Sequence, residues 1–208
     1  MTDTPEFYLL ETLLWEEASG WFLLDYHLQR LSRSAEALNF KVDRKAVERE
    51  LSRAAETLDV STRGRLLVDR TGKVRLQTAT AGETGQQMFL AVAPTPIQHD
   101  DLFLRHKTTQ RQVYNQFRGE RPDADDVILW NERNELTETC IGNICLRFGQ
   151  EWLTPDLQCG LLPGTYRQFL IDEGTIKVKV LPLQALYDAD EVALINSVRK
   201  WCPAVVID

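Results

Sequence analysis

The sequence has little of what nucleic-acid binding or membrane insertion requires. Its 24 Lys and Arg residues are outnumbered by 31 Asp and Glu residues, which gives a formal net charge of −7. Because phosphate backbones are held by surplus basic side chains, this balance disfavours a nucleic-acid partner. No apolar run reaches the roughly 18 residues that a membrane helix requires, so we expect no membrane partner.

Signals for secretion and for metal binding are also missing. Residues 1–5 lack the basic and apolar blocks of a signal peptide, and we therefore expect a cytoplasmic protein. The four cysteines form no CxxC pair and have no histidine at metal-ligand spacing. We expect buried thiols rather than a metal site.

What is present predicts a folded mixture of strands and helices. The hydrophobic content of 43% in 208 residues is enough to bury a substantial core. Helices with one apolar face are predicted to follow Asp25 and Asp43, whose carboxylates can cap a first turn. Strand-like runs in the first half of the chain lie at 7–15, 21–24, 64–69, 73–77 and 87–92. The first two runs are predicted to form one hairpin around Gly20, and the next two are predicted to form another around residues 70–72.

The second half of the chain begins after a proline-containing segment, 93–96. Proline lacks the amide donor of a central strand, so this segment is predicted to link two lobes, 1–93 and 97–208. Strand-like runs follow at 126–130, 141–148, 151–153, 191–195 and 204–207, with helices predicted at 108–117 and 163–172. The lack of regular βαβ alternation predicts an α+β chain rather than a doubly wound sheet.

Two charged residues are candidates for chemistry. Lys107 follows the apolar run 102–104, where the end of a strand could direct its amine into a cleft, although most lysines are solvated surface charges. Glu138 lies in a mostly uncharged stretch and therefore requires a partner. That partner is either an arginine in a structural ion pair or a cationic group of a ligand.

Three further segments could bind an anion. Residues 160–167 lead from a glycine-containing loop into a helix, where the amides of Thr165 and Tyr166 can bind phosphate; Pro-Gly before a helix is also a common turn. Ser197 follows an apolar run and offers a hydroxyl, or it simply begins a loop. Arg30 is by default a surface arginine, and it could equally be a phosphate ligand.

These segments together carry a family resemblance over nearly the whole chain. Short motifs occur in a fixed order at 10–12, 27–35, 106–114, 131–143, 154–167 and 196–199. They resemble the class IV (fold-type IV) aminotransferases, a pyridoxal-phosphate (PLP) family that includes branched-chain and D-amino-acid transaminases and 4-amino-4-deoxychorismate lyase. The residues in these motifs are most similar to those of the lyase. The resemblance implies a small N-terminal α/β lobe, a larger C-terminal α/β pseudo-barrel lobe, and a homodimer.

The resemblance also implies a role for each candidate residue. Lys107 would form the Schiff base to PLP and act as the general base, and Glu138 would face the pyridine nitrogen. Arg30, Ser197 and the amides of Thr165 and Tyr166 would hold the phosphate. One departure is Lys200, at a position where related lyase-like domains commonly have glycine.

Three functions follow as expectations. The first is a lyase that releases pyruvate to form 4-aminobenzoate, as in folate biosynthesis. The second is a transaminase acting on an amino acid. The third is a family member that binds the cofactor without turnover, which the short start before Glu11 favours. The motifs do not identify the substrate, because loops build the pocket.

Overall fold

A computed structural model of the protein describes residues 7–207. The expectation for residues 1–5 lies outside these residues. The described part of the chain has a mixed α+β architecture, which confirms the predicted class. It divides into two compact units, one of residues 7–81 with 106–110 and the other of 82–105 with 111–207. Within 7–207, none of the helices is both long and apolar enough to cross a lipid bilayer.

The first unit is built on an antiparallel sheet with two helices. Its strand order is β2-β1-β3-β4, and its strands are Leu9–Glu16 (β1), Gly20–Trp21 (β2), Thr62–Val68 (β3) and Val74–Thr80 (β4). The helices are Leu24–Leu38 (α1) and Arg44–Ala55 (α2). Both predicted hairpins are confirmed, since β1 pairs with β2 and β3 with β4. Gly64 is required in β3, because a Cβ there would lie 2.7 Å from the Trp21 ring.

The two helix starts differ from one another. Asp43 caps α2 as predicted, since its side chain accepts a hydrogen bond of 2.9 Å from the Lys45 amide. The predicted cap at Asp25 is wrong. The N-cap of α1 is Leu23, whose left-handed backbone (φ 54°) turns the chain into the helix two residues earlier. Asp25 therefore lies within the first turn, where its charge still complements the helix dipole.

The second unit is built on an eight-stranded mixed sheet that curls into a half-barrel. Its strand order is β10-β9-β8-β11-β12-β5-β6-β7. The strands are Met88–Val92 (β5), Asp126–Trp130 (β6), Leu136–Thr139 (β7), Asn143–Phe148 (β8), Glu151–Pro155 (β9), Lys177–Lys179 (β10), Glu191–Asn196 (β11) and Lys200–Ile207 (β12). The helices are Leu102–Arg105 (α3), Gln112–Glu120 (α4), Thr165–Asp172 (α5) and Ala185–Asp188 (α6).

Strand β5 belongs to this second sheet, although the sequence places it in the N-terminal lobe. It pairs in parallel with both β6 and β12, so both of its edges are hydrogen-bonded within the larger unit. The core on one face of the sheet includes Leu90 of β5, Ile128 of β6 and Leu194 of β11. Parallel pairing joins strands that are distant in sequence, so the local hydrophobic pattern of a strand does not predict its partners.

The chain around Lys107 differs from the predicted helix at 108–117. Residues 102–105 form α3 instead of a strand, and α4 begins only at Gln112. The intervening residues are extended, because Thr108 forms an isolated antiparallel bridge with Leu9 of β1. The Leu10 amide donates to the Lys107 carbonyl at 3.0 Å, which fixes the backbone of this residue against β1.

Candidate active site

Glu138 is a buried carboxylate held by two hydrogen-bond donors. It lies on β7 with 3% of its surface exposed. The Tyr114 hydroxyl donates to Oε1 at 2.7 Å, and the Leu162 amide donates to the same oxygen at 3.2 Å. The Asn143 amide nitrogen lies 3.5 Å from Oε2. Donors that favour the ionised form offset the cost of burying a charge, so this site can present a negative group to a cationic ligand.

The turn that follows Glu138 is fixed by three side chains from other elements. Arg111 donates through Nη2 to the Cys140 carbonyl at 2.7 Å. Asp126 accepts from the Ile141 amide at 3.0 Å. Asn196 donates to the Ile141 carbonyl at 3.2 Å. These bonds restrict the backbone of the turn that follows Glu138.

Helix α5 begins without a side-chain cap. Its N-cap is Gly164, and no side chain there accepts from the first-turn amides. A Cβ at Gly164 would overlap Oδ1 of Asn143, so the close approach of β8 requires glycine. Thr165 is buried at the start of the helix and Tyr166 is half-buried. A helix start of this kind suits an anion, since the helix dipole and the first amides both favour negative charge.

Ser197 is buried in the tight turn between β11 and β12. The Asn196 side chain builds this turn, because its Oδ1 accepts from the amides of Val198 at 2.9 Å and Arg199 at 2.7 Å. Lys200 at the end of the turn has φ 60°, in the left-handed region. Glycine adopts this backbone without strain, whereas a residue with a side chain, such as lysine, adopts it at a cost.

Arg30 is buried in the first unit, so the default expectation of a surface arginine is wrong. It is 4% exposed and forms a bidentate pair with Glu11, through Nε at 2.9 Å and Nη2 at 2.5 Å. His27 Nδ1 lies 2.7 Å from Glu11. Burial alone would raise the pKa of Glu11, but the Arg30 charge and the bond to His27 lower that pKa to about 2. Glu11 therefore stays ionised and fixes the guanidinium.

Lys107 is half-buried near this cluster, in the same unit. Burial lowers the pKa of His27, Glu11 opposes the change, and the charges of Arg30 and Lys107 lower it further. The neutral form of His27 is therefore favoured, and Lys107 is close enough to influence it electrostatically. The neighbouring His106 lies 3.1 Å from the Ser34 hydroxyl, which holds this segment against α1.

The structure links several of the predicted residues within each unit. In the second unit, hydrogen bonds connect the segments that carry Glu138, Thr165 and Ser197, by way of Leu162 and Asn196. In the first unit, Arg30 and Lys107 share the surroundings of His27. The sequence patterns indicated no role for three residues of these clusters: Glu11, His27 and Asn143. Glu11 could have been recognised from the sequence as a single acidic residue within an apolar strand.

Comparison with known proteins gives a consistent family match. Residues 8–207 match the family described as Amino-transferase class IV. A Schizosaccharomyces pombe protein with the provisional name aminodeoxychorismate lyase is 30% identical, covering 96% of this chain and 89% of its own. Aminodeoxychorismate lyase of Bacillus subtilis is 26% identical, covering 90% of this chain and 73% of its own.

A solved structure matches over its entire length. It is a Mesorhizobium loti protein provisionally named an amino-acid aminotransferase, with a TM-score of 0.92 and 34% identity. The match covers 97% of this chain and 100% of that one. The expected fold-type IV architecture is therefore confirmed. Solved structures of this fold include a PLP-bound form.

Proposed function

Because this chain belongs to the class IV aminotransferase family, an enzyme family that depends on PLP, we propose that it is an aminodeoxychorismate lyase-like enzyme. Its reaction would release pyruvate from 4-amino-4-deoxychorismate and form 4-aminobenzoate. The observation that carries the proposal is the buried Glu138 carboxylate, held by Tyr114 and Leu162 in a chain that has two curated relatives named as this lyase.

Lys107 and Glu138 have complementary roles in this proposal. The cofactor supplies an electron-accepting ring that stabilises negative charge on the substrate carbon next to nitrogen. Lys107 would hold the cofactor, and its neutral amine would serve as the general base for the proton on that carbon. Glu138 would favour positive charge on the ring nitrogen. Departure of pyruvate leaves an aromatic product, and aromatisation makes the step favourable.

Four groups would hold the cofactor phosphate. They are the Arg30 guanidinium, the Ser197 hydroxyl and the amides of Thr165 and Tyr166. The start of α5 at the Gly164 N-cap supports the amide role, because the dipole of the helix favours an anion at this end. The ion pair with Glu11 supports the role of Arg30, since it fixes the orientation of a charged guanidinium group inside the protein. The chemistry of these groups fits PLP.

An assay on the proposed substrate tests this function. The purified protein with PLP is incubated with chorismate, glutamine and aminodeoxychorismate synthase, and fluorescent 4-aminobenzoate is measured. We expect product only when both enzymes are present. Failure to form 4-aminobenzoate while the intermediate accumulates would reject the lyase function.

A transaminase is the second candidate, and the Mesorhizobium loti structure favours it. That protein carries an aminotransferase name at 34% identity over nearly the whole chain. In this case Lys107 would return the proton to the cofactor, and the substrate would leave as a 2-oxo acid. Half-reactions with D-alanine or L-leucine distinguish the two, because a transaminase loses the visible band of its lysine-bound cofactor. A chain that binds PLP and passes neither assay is a binding protein without turnover.

Substitution of Arg30 by lysine tests the phosphate site. Lysine keeps the positive charge near Glu11 but loses the bidentate fork, so we expect the PLP dissociation constant to rise about tenfold. Arg30→Ala is less informative, because it would leave Glu11 buried without its cation at a cost of about 3–5 kcal/mol. The measurement is cofactor titration by fluorescence, with Arg33→Lys, at an exposed position of the same helix, as the control. An unaltered dissociation constant in Arg30→Lys would remove Arg30 from the site.

We also propose that the enzyme is a homodimer, as the family resemblance implies. Sedimentation as a monomer at micromolar concentration would contradict this.

A further inference from the structure

We infer that Tyr114 is a positioning residue whose hydroxyl holds Glu138 in place for its work on the cofactor ring. The inference rests on the proposed function, because it concerns the carboxylate that acts on the ring nitrogen. It adds a residue 24 positions earlier in the chain, on α4, to the machinery of the site.

The geometry of the bond places the Tyr114 hydroxyl as a donor to the carboxylate. The O–H···O distance from Tyr114 to Glu138 Oε1 is 2.7 Å, the usual length for a hydroxyl donor. The Leu162 amide donates to the same oxygen, so both donors act on Oε1. A carboxylate that accepts two such bonds is favoured over its protonated form. Loss of one donor therefore raises the proton affinity of the carboxylate, and the proton that it shares with the ring nitrogen shifts toward Glu138.

Tyr114 keeps its own proton in this arrangement. Burial raises the pKa of Tyr114 well above its usual value, and the negative charge of Glu138 and the hydrogen bond raise it further. The Arg111 guanidinium, 4.6 Å from the centre of the Tyr114 ring, opposes this change. The phenol is thus a donor at working pH and is unsuited to act as a base.

Other charged and titratable groups surround the pair. Arg111 donates to the Cys140 carbonyl, and burial raises the pKa of the Cys140 thiol. Asp126 influences that thiol electrostatically. Arg167 on α5 is 2% exposed and interacts electrostatically with Glu138. All of these groups remain when only the Tyr114 hydroxyl is removed, so a change in the Tyr114→Phe variant reports the lost hydrogen bond.

The test is Tyr114→Phe in the PLP-loaded protein, read by pH titration of its visible absorbance band. Less protonation of the ring raises the proton affinity of the Lys107 nitrogen that is bonded to the cofactor. We therefore expect the pH midpoint of the band to rise by about one unit. We also expect kcat to fall about tenfold with KM little changed, because the lost interaction matters most in the transition state.

Two further variants separate this effect from general loosening. Phe117→Leu disturbs the same buried cluster without removing a hydroxyl, so it should lower the Tm and leave the pH midpoint unchanged. In a Glu138→Gln background, Tyr114→Phe should shift the midpoint far less, because the ionised acceptor is already gone. Equal shifts in Tyr114→Phe and Phe117→Leu would overturn the inference.

The outcomes distinguish the inference from the proposed function. A parent protein that shows the band, with an unmoved midpoint in Tyr114→Phe, overturns the role of Tyr114 and leaves the proposed function standing. A parent protein that shows no band with added PLP overturns both.

Discussion

Lys107→Ala is expected to abolish the visible absorbance band of the PLP-loaded protein, at about 410–420 nm, and to lower kcat by at least about 10⁴-fold. The substitution removes both the amine that holds the cofactor covalently and the proposed general base. It should not unfold the chain, because the Leu10 amide contacts the carbonyl of residue 107 and not its side chain. Absorbance spectra and steady-state rates measure both effects.

Borohydride reduction of the PLP-loaded parent provides an independent readout. Reduction fixes the cofactor to its lysine, and peptide mass analysis should place the added mass at Lys107. The matched control is Lys45→Ala, at an exposed position on α2, which should keep the band and the rate. Label recovered at another lysine, or an intact band in Lys107→Ala, would remove Lys107 from its proposed role.

Glu138→Gln should bind PLP but turn over about 10²–10³-fold more slowly. Glutamine keeps an oxygen that can accept from Tyr114 and Leu162, so the fold around β7 should persist. The change removes the negative charge that keeps a proton on the ring nitrogen, and the ring then accepts electrons less well. The expected result is a lower kcat, with the PLP dissociation constant nearly unchanged.

Glu138→Ala separates the chemical role from the structural one. It leaves the Tyr114 hydroxyl and the Leu162 amide without this acceptor, at a cost of about 1–3 kcal/mol for each buried donor. The alanine variant should therefore lose both turnover and Tm, whereas the glutamine variant should lose mainly turnover. Glu191→Gln, at an exposed position on β11, is the control for removal of one charge. A kcat in Glu138→Gln equal to that of the parent would exclude the proposed role.

Local patterns were sufficient for most of the elements. The hairpin of β3 and β4 follows from two β-rich runs around a glycine-containing turn, and the cap at Asp43 follows from its side chain. The helix after Gly164 was also predicted, and its start is well determined by sequence because proline and glycine restrict the backbone there. Each of these features depends on residues within a few positions of one another.

Long-range strand pairing explains why some predictions from the sequence differ from the structure. The run at 102–104 was expected to be a strand, but it forms α3, and the residues after it are extended because β1 offers Leu9 as a partner. The sequence places β5 in the N-terminal lobe by its position before the prolines, but its pairing with β6 and β12 makes it part of the second sheet. A periodicity shows that a segment has a buried face and does not show what covers that face.

The sequence by itself determined the class of fold, the family and the residue types available for chemistry, because these follow from local periodicity and from the order of short motifs. Only the tertiary structure decided which groups meet. It joined Tyr114 and Leu162 to one oxygen of Glu138, and Arg30 and His27 to Glu11. The physical reason is that a buried charge takes its partners from whichever elements pack around it, at any distance along the chain.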